Sequence, residues 1–311
     1  MIQRIVALME HETAGDPVTG LLWTRKTTEN IAAELVSLGI QVSASTVARL
    51  LKMIGFSLRV NHKKHSGHTG ADRDEQFRYI KAKKDEFARA GLPCLSIDAK
   101  KREMVGNFKN PGKTWEKTPV IVNDHDFLTL ASGVAIPYGL YDTEANVGTV
   151  FVGTSRDTSE FAVDAIETWW CSEGRSRYPG ACHILLIADG GGSNGARLRA
   201  WKVYIQEKLC DRHRLTVTVC HYPTGTSKWN PIEHRLFSQI SKNWEGVPLR
   251  TYETLLNFIN TTTTKTGLTV TSHLVRREYE TGIKVSDQKI AELSLERHET
   301  QPHRNYTLKP R

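Results

Sequence analysis

Two short apolar runs in this chain end abruptly on a carboxylate: Leu95-Ser96-Ile97-Asp98 and Ile184-Leu185-Leu186-Ile187-Ala188-Asp189. Such runs read as strands buried on both faces, each presenting its acid where it leaves the core. A third stretch, Trp229-Asn230-Pro231-Ile232-Glu233-His234, sets a glutamate just inside a helix, since proline suits the first helical position. Around these stretches, Gly133 to Tyr141 and Val147 to Gly153 predict two strands joined as a hairpin through 142–146. Helical spacing of Phe161, Ala162, Ala165, Ile166 and Trp169 predicts a helix from Thr158 to Cys171. Further strands are expected at His183 to Ala188 and Leu215 to Cys220, with helices at Gly195 to Leu209 and from Pro231 to about Asn243. The order β-β-β-α-β-α-β-α implies an α/β fold with a central mixed sheet and helices on both faces.

The pattern before Cys94 is different. Ile2, Ile5, Val6, Leu8 and Met9 form an amphipathic run that ends at the turn signal Gly15-Asp16-Pro17. Two helices follow. The first has Thr28 as a cap and Ile31, Ala32, Leu35 and Val36 on one face; the second is capped by Ser43 and turns Val47, Leu50, Leu51 and Ile54 inward. Gly39 and Gly55 stop them. This is the pattern of a helix-turn-helix in a small all-α domain, whose second helix, with Ser45, Thr46, Arg49 and Lys52, can enter a major groove. A basic, aperiodic stretch with Arg59, Lys63 and Lys64 then reads as a linker able to track phosphates. A charged helix from Asp72 to Ala90 is broken at Gly91-Leu92-Pro93. The expected division is therefore 1–66, a linker helix at 67–93, an α/β domain at 94–250, and a helical extension and tail at 251–311. In that last part a helix at Tyr252 to Ile259 and a charged helical stretch near 286–298 are expected, with 301–311 loosely ordered.

Charge sharpens the picture. Residues 24–66 carry seven Lys/Arg against two Glu, and the whole chain has a net charge of +8, a balance that favours a polyanionic partner. No apolar run approaches the roughly 20 residues that span a bilayer, and no secretory leader is visible, so a cytoplasmic protein without a membrane partner is expected. The five cysteines are widely spaced among apolar neighbours, which suits reduced thiols and gives no paired zinc-knuckle spacing.

Each acid has a plain structural reading on its own, as a helix cap, a turn former or a helix-dipole partner. The glycine-rich segment after Asp189 lacks the lysine of a phosphate-binding loop. Asp124, Asp126 and Asp142 compete as ligands. Together, two acids at strand ends and one on a helix are the oxygen-donor set that Mg²⁺ requires. Two ions held this way can serve the attacking and leaving oxygens of a phosphodiester.

The motifs Ser96-Ile97-Asp98-Ala99-Lys100-Lys101, Ala188-Asp189-Gly190-Gly191-Gly192-Ser193-Asn194 and His221 to His234 resemble those of DDE transposases with an RNase H-like core. The likeness is greatest to the ISAzo13-type (Rhodopirellula-type) group of bacterial insertion-sequence transposases. The Asn230-Pro231-Ile232-Glu233 signature is similar to that of the broader Tc1-mariner type. About 90 residues separate the first two acids and about 44 the last two.

The resemblance implies Asp98, Asp189 and Glu233 as catalytic and metal-ligating residues, with two Mg²⁺ or Mn²⁺ ions. It also implies cleavage at the element's ends, strand transfer into target DNA, and a homodimer or larger synaptic assembly on bacterial nucleoid DNA. Lys100, Lys101, Lys228 and His234, beside the acids, either contact DNA or are ordinary rim charges, and Trp229 and Tyr222 either stack on an unpaired base or pack beneath the helix. The helical run at Met1 departs from the family by leaving little sequence ahead of the helix-turn-helix, as in a shortened copy. Two other readings are open: a catalytically inactive or domesticated DNA-binding remnant, and a nuclease that cuts without joining.

Overall fold

A threonine and a serine set the helices of the N-terminal unit. The computed structural model describes residues 2–10, 13–15, 22–24, 27–56 and 71–311, and these fall into two units, 1–65 and 66–311. The first contains α1 (Ile2–Glu10), β1 (Thr13–Gly15), β2 (Leu22–Thr24), α2 (Thr28–Ser37) and α3 (Ala44–Met53). Thr27, one residue before the expected cap, accepts the Asn30 backbone N–H at the start of α2, and Ser43 accepts that of Thr46 at the start of α3. Gly39, at φ 80°, turns the chain out of α2 in a left-handed conformation that side chains resist. Ile5, Ile31, Leu35 and Val47 are fully buried together. Ser45, Arg49 and Lys52 are exposed on α3 and Thr46 is half-buried. Arg59, Lys63 and Lys64 lie outside the described residues. The all-α expectation for this unit is corrected by an antiparallel ribbon in which β1 pairs with β2. Its β-branched and aromatic residues (Thr13, Trp23, Thr24) favour extended backbone over helix.

The second unit contains α4 (Ala71–Arg89), β3 (Cys94–Ala99), β4 (Glu103–Val105), β5 (Gly133–Asp142), β6 (Val147–Gly153), α5 (Ser159–Trp169), α6 (Arg175–Arg177), β7 (His183–Ala188), α7 (Arg199–Tyr204), β8 (Thr216–His221), α8 (Ser238–Asn243), α9 (Tyr252–Asn260), β9 (Thr269–Val275), α10 (Asp287–Ala291), β10 (Leu295–Arg297) and β11 (Asn305–Leu308). The strands form one mixed sheet in the order β10-β11-β8-β7-β3-β5-β6-β9, with β4 paired to β5. At its centre β3, β5 and β6 run antiparallel in sequence, while β7 and β8 lie parallel to β3 on its other side. This is the RNase H-like arrangement implied by the resemblance.

Alternation along the strands sends side chains to two helical layers. On one face Leu95, Ile97, Tyr138, Leu186, Ala188 and Val219 pack against α5 and α7, around the buried Trp169 and Trp201. On the other, Tyr141, Val150 and Val152 meet Leu236, Phe237 and Ile240 of the helix that leads into α8. Cys94, Leu185, Ile187 and Cys220 lie under Ile80 and Phe87 of α4. Gly139 is what allows the second of these contacts. A Cβ there would stand 2.6 Å from Phe237 and 2.9 Å from Ile232, so its absence lets that helix settle directly on β5.

The C-terminal part differs most from expectation. Residues 251–311 supply three strands of the same sheet as well as the helices α9 and α10. The stretch near 286–298 holds only the short α10 before it becomes β10. The segment expected to be loose contains β11, wholly buried and antiparallel to β8. Strand β9 goes parallel beside β6. The helix expected from Gly195 starts as α7 at Arg199, because Gly195 is extended. A buried amide pair secures the C-terminal strand: Gln76 of α4 donates to Asn305 at 2.8 Å and accepts from it at 2.7 Å, and donates to the His221 carbonyl at 2.9 Å.

Leu308 is fully buried, so Leu308→Ala is expected to cost about 2–5 kcal/mol in denaturant unfolding. A cost below about 0.5 kcal/mol, the surface value, would mean a loose tail after all.

Candidate functional site

Asp98 and Asp189 come together because β3 and β7 are parallel neighbours in register. Ile97 pairs with Ala188, so the two acids are the next residues along on adjacent strands. Asp98 also faces Gly139 across β5, and so lies under the helix that Gly139 admits. That helix begins at Pro231 and passes through a π-helical turn, Glu233–Phe237, before α8. Glu233 is thereby carried over the strand end that bears Asp98.

A buried polar bridge fixes the arrangement. The Ser96 hydroxyl donates to Asn230 Oδ1 at 2.5 Å and accepts the Ile232 backbone N–H at 3.1 Å. Asn230 Nδ2 in turn donates to Asp189 Oδ1 at 3.2 Å. Ser96 and Asn230 are fully buried, so each polar atom needs its partner inside the protein. One asparagine thus ties the start of the Glu233 helix to the ends of two strands.

The electrostatics match this crowding. Burial, then the charge of Asp189, pushes the Asp98 carboxyl up to about 8, with Glu233 adding to the rise and the Ala99 N–H at 2.8 Å opposing it. Asp189 is raised as well, first by burial and then by Glu233, against the hydrogen bond from Asn230. The three acids therefore feel one another.

Asp98 and Asp189 open onto a cleft of about 520 Å³, lined also by Lys100, Lys101, Arg102, Asp157 and the loops 190–192 and 223–227. Among the described residues no group of three or more His, Cys, Asp or Glu side chains is placed so that it could hold a metal ion. Hard divalent cations do not require one, because they keep several waters and bind through one or two carboxylates. An all-oxygen donor pair on an open cleft fits that chemistry.

The other expected site residues are placed unevenly. Lys101 is exposed on the cleft rim. Lys100 is engaged within the protein: its ammonium pairs with Glu103 at 2.5 Å and lies 4.6 Å from the centre of the Trp244 ring. Lys228 lies over the Trp229 ring, and the His234 imidazole meets the Lys228 carbonyl. Tyr222 is buried against Phe77, whereas Trp229 is 55% exposed. Of the competing acids, Asp142 is buried, receives hydrogen bonds from Tyr178 and Arg177, and closes the β5–β6 turn. Sequence reasoning passed over Arg102 and Asp157. Arg102 was legible as the next cation after Lys100-Lys101, but nothing in the pattern distinguishes Asp157 from any acid ahead of a helix.

The raised Asp98 group gives a pH signature. Without divalent cations, the folded protein keeps a proton that the unfolded chain, with an ordinary aspartate near 3.9, has already released. Stability is therefore expected to fall as pH rises from about 4 to about 8. Asp98→Asn should flatten this fall and raise the urea midpoint at pH 8 more than at pH 5. Equal slopes in the two proteins would show that Asp98 titrates normally.

The family model for the Rhodopirellula transposase DDE domain matches residues 4–310. No curated protein matches the chain. Similar solved structures include the Mos1 transposase paired-end complex with left transposon end, at 12% identity and TM-score 0.45, covering 83% of this chain and 69% of that one. The Mos1 strand transfer complex follows at 12% identity and TM-score 0.44, covering 83% and 68%. The Mos1 mariner paired-end complex with Mn has 11% identity and TM-score 0.43, covering 83% and 69%.

Proposed function

This chain belongs to the Rhodopirellula transposase DDE domain family, and we propose that it cuts DNA at the ends of an insertion sequence and joins those ends to target DNA, using divalent cations held by Asp98, Asp189 and Glu233. The observation that carries this reading is the concentration of the three acids. Burial and mutual repulsion raise Asp98 and Asp189 together, and a cation between them relieves that cost.

Mg²⁺ or Mn²⁺, when bound as a pair, supplies Lewis acidity to the attacking and leaving oxygens of the phosphodiester. The protein does the rest. Asn230 keeps one Asp189 oxygen engaged and so aims the other. Lys101 and Arg102, exposed on the rim, hold flanking phosphates. Gly191 and Gly225 have open space where a side chain would stand, which leaves room for a DNA strand. In the N-terminal unit, Ser45, Thr46, Arg49 and Lys52 of α3 read the terminal sequence, with Arg59, Lys63 and Lys64 following the backbone. Strand transfer of two ends calls for at least two copies of the chain in one assembly.

With DNA carrying the element's ends, wild-type protein is expected to nick only when Mg²⁺ or Mn²⁺ is added. Asp189→Ala should lose at least about a thousandfold in rate, the equivalent of several kcal/mol of transition-state stabilisation, while still shifting the DNA in a gel. Products joined to target DNA would separate a transposase from a nuclease that only cuts. Binding without cutting by the wild type would favour the inactive remnant.

A further inference from the structure

The segment 222–229 borders two recesses. Its residues 223–225 and 227 line the cleft of Asp98 and Asp189. Its two ends, Tyr222 and Trp229, line another of about 320 Å³, whose remaining wall is α4, with Phe77, Lys81, Lys84 and Asp85. Both ends are tied to the acid-bearing strands. The Tyr222 backbone N–H donates to the Ala188 carbonyl at 2.9 Å, beside Asp189. Trp229 closes a 3₁₀ turn, its N–H donating to the Thr226 carbonyl at 2.8 Å, and it precedes Asn230, which donates to Asp189. The second recess is therefore held in a set register to the acids.

Its lining joins aromatic rings to cations. The Phe77 ring lies 5.8 Å from that of Tyr222 and 6.1 Å from that of Trp229, meeting the latter edge to face at 74°. Trp229 stays 55% exposed, although Phe237 and Trp244, farther along the same segment, are buried. A lone exposed apolar residue needs no explanation, but this ring has charge around it. Lys228 Nζ lies over it at 5.5 Å. Asp85, the acid of the recess, is already paired with Lys81, while Lys84 is in no ion pair among the described residues. Aromatic faces beside unpaired cations suit a single nucleotide, whose base stacks while its phosphate is held. An apolar protein segment seated here would take water from the ammonium groups and return no charge.

We infer that this recess takes one unpaired base of the DNA strand that runs out of the cleft, stacked on Trp229, with Lys84 on its phosphate. The inference rests on the proposed cutting of DNA at Asp98 and Asp189, and adds to it a single-strand subsite. Every base has a π-face, so the subsite holds a strand without reading its sequence. It favours DNA whose strands are parted beside the cut over an intact duplex.

The test compares two DNA probes carrying the element's ends: a blunt duplex, and the same duplex with a short single-stranded tail that contains 2-aminopurine. Divalent cations are left out, so nothing is cut. The full chain is expected to bind the tailed probe on the order of tenfold more tightly and to quench the 2-aminopurine emission. Trp229→Ala should lose both effects while binding the blunt duplex as before, and Trp229→Phe should keep most of both. Lys84→Ala should make the salt dependence of tailed-probe binding shallower by about 0.7 in log–log slope, the value for one single-strand phosphate. Equal affinity of the wild type for the two probes, or an unchanged preference in Trp229→Ala, would overturn the inference and leave the cutting reading intact. If the wild type binds neither probe, both readings fail together. If Trp229→Ala turns a dimer into a monomer in sedimentation and binds both probes as wild type does, the recess is a contact between copies and the inference fails. Should Trp229→Ala not fold, absence of quenching by the wild type with an unchanged Lys84→Ala slope would overturn it equally.

Discussion

The hydrogen bonds that Asn230 makes to Ser96 and Asp189 hold the rest of the site in place. A helix on a sheet can slide by part of a turn at little hydrophobic cost, since apolar contacts are not directional. A buried amide cannot slide, because each shift leaves a donor or acceptor unpaired in a medium of low polarity. Asn230 therefore converts loose packing into a fixed register between the Glu233 helix and the ends of β3 and β7. Proline at 231 supports this by pre-setting the first helical turn. Gly139 supports it from below by leaving space for Ile232 and Phe237.

The same logic operates on the neighbouring strands β8 and β11. Gln76 and Asn305 exchange two hydrogen bonds in a fully buried setting, so α4, β8 and β11 share one register. Helix α4 covers the strands that carry both aspartates, and its position is set by a segment far along the chain. The sheet is consequently locked by polar pairs on both sides of the acids, with apolar packing filling the space between.

Much of this was legible in the chain. The apolar runs ending at Asp98 and Asp189, the hairpin through 142–146, and the helix opening at Asn230-Pro231 follow from local periodicity and turn chemistry, and they place the acids on the right elements. The C-terminal strands were not legible. Asn305-Tyr306-Thr307-Leu308 is short, alternates little and is flanked by charges, so nothing local distinguishes it from a tail. Its strand character comes from the open edge of β8, a tertiary demand. Strand β9 is hidden for the same reason, its threonine-rich pattern becoming a strand against β6. Ser96 stood inside a legible motif, but its partner lies far away in sequence, and only the fold could supply that contact.

The placement of β11 has a consequence for how the molecule comes into being. During synthesis β3, β7 and β8 emerge with all three acids already made, yet the outer edge of β8 has no partner until the segment around Asn305 leaves the ribosome. Gln76, made early, likewise waits for an amide made late. An unpaired edge invites pairing with other chains, so the nascent protein passes through an interval in which it is vulnerable to association. Completion of the sheet, and with it the seating of α4 over the acid-bearing strands, is deferred until the segment around Asn305 has been made. Chains interrupted before that segment are left with the acidic residues in their sequence but without the finished scaffold that gathers them.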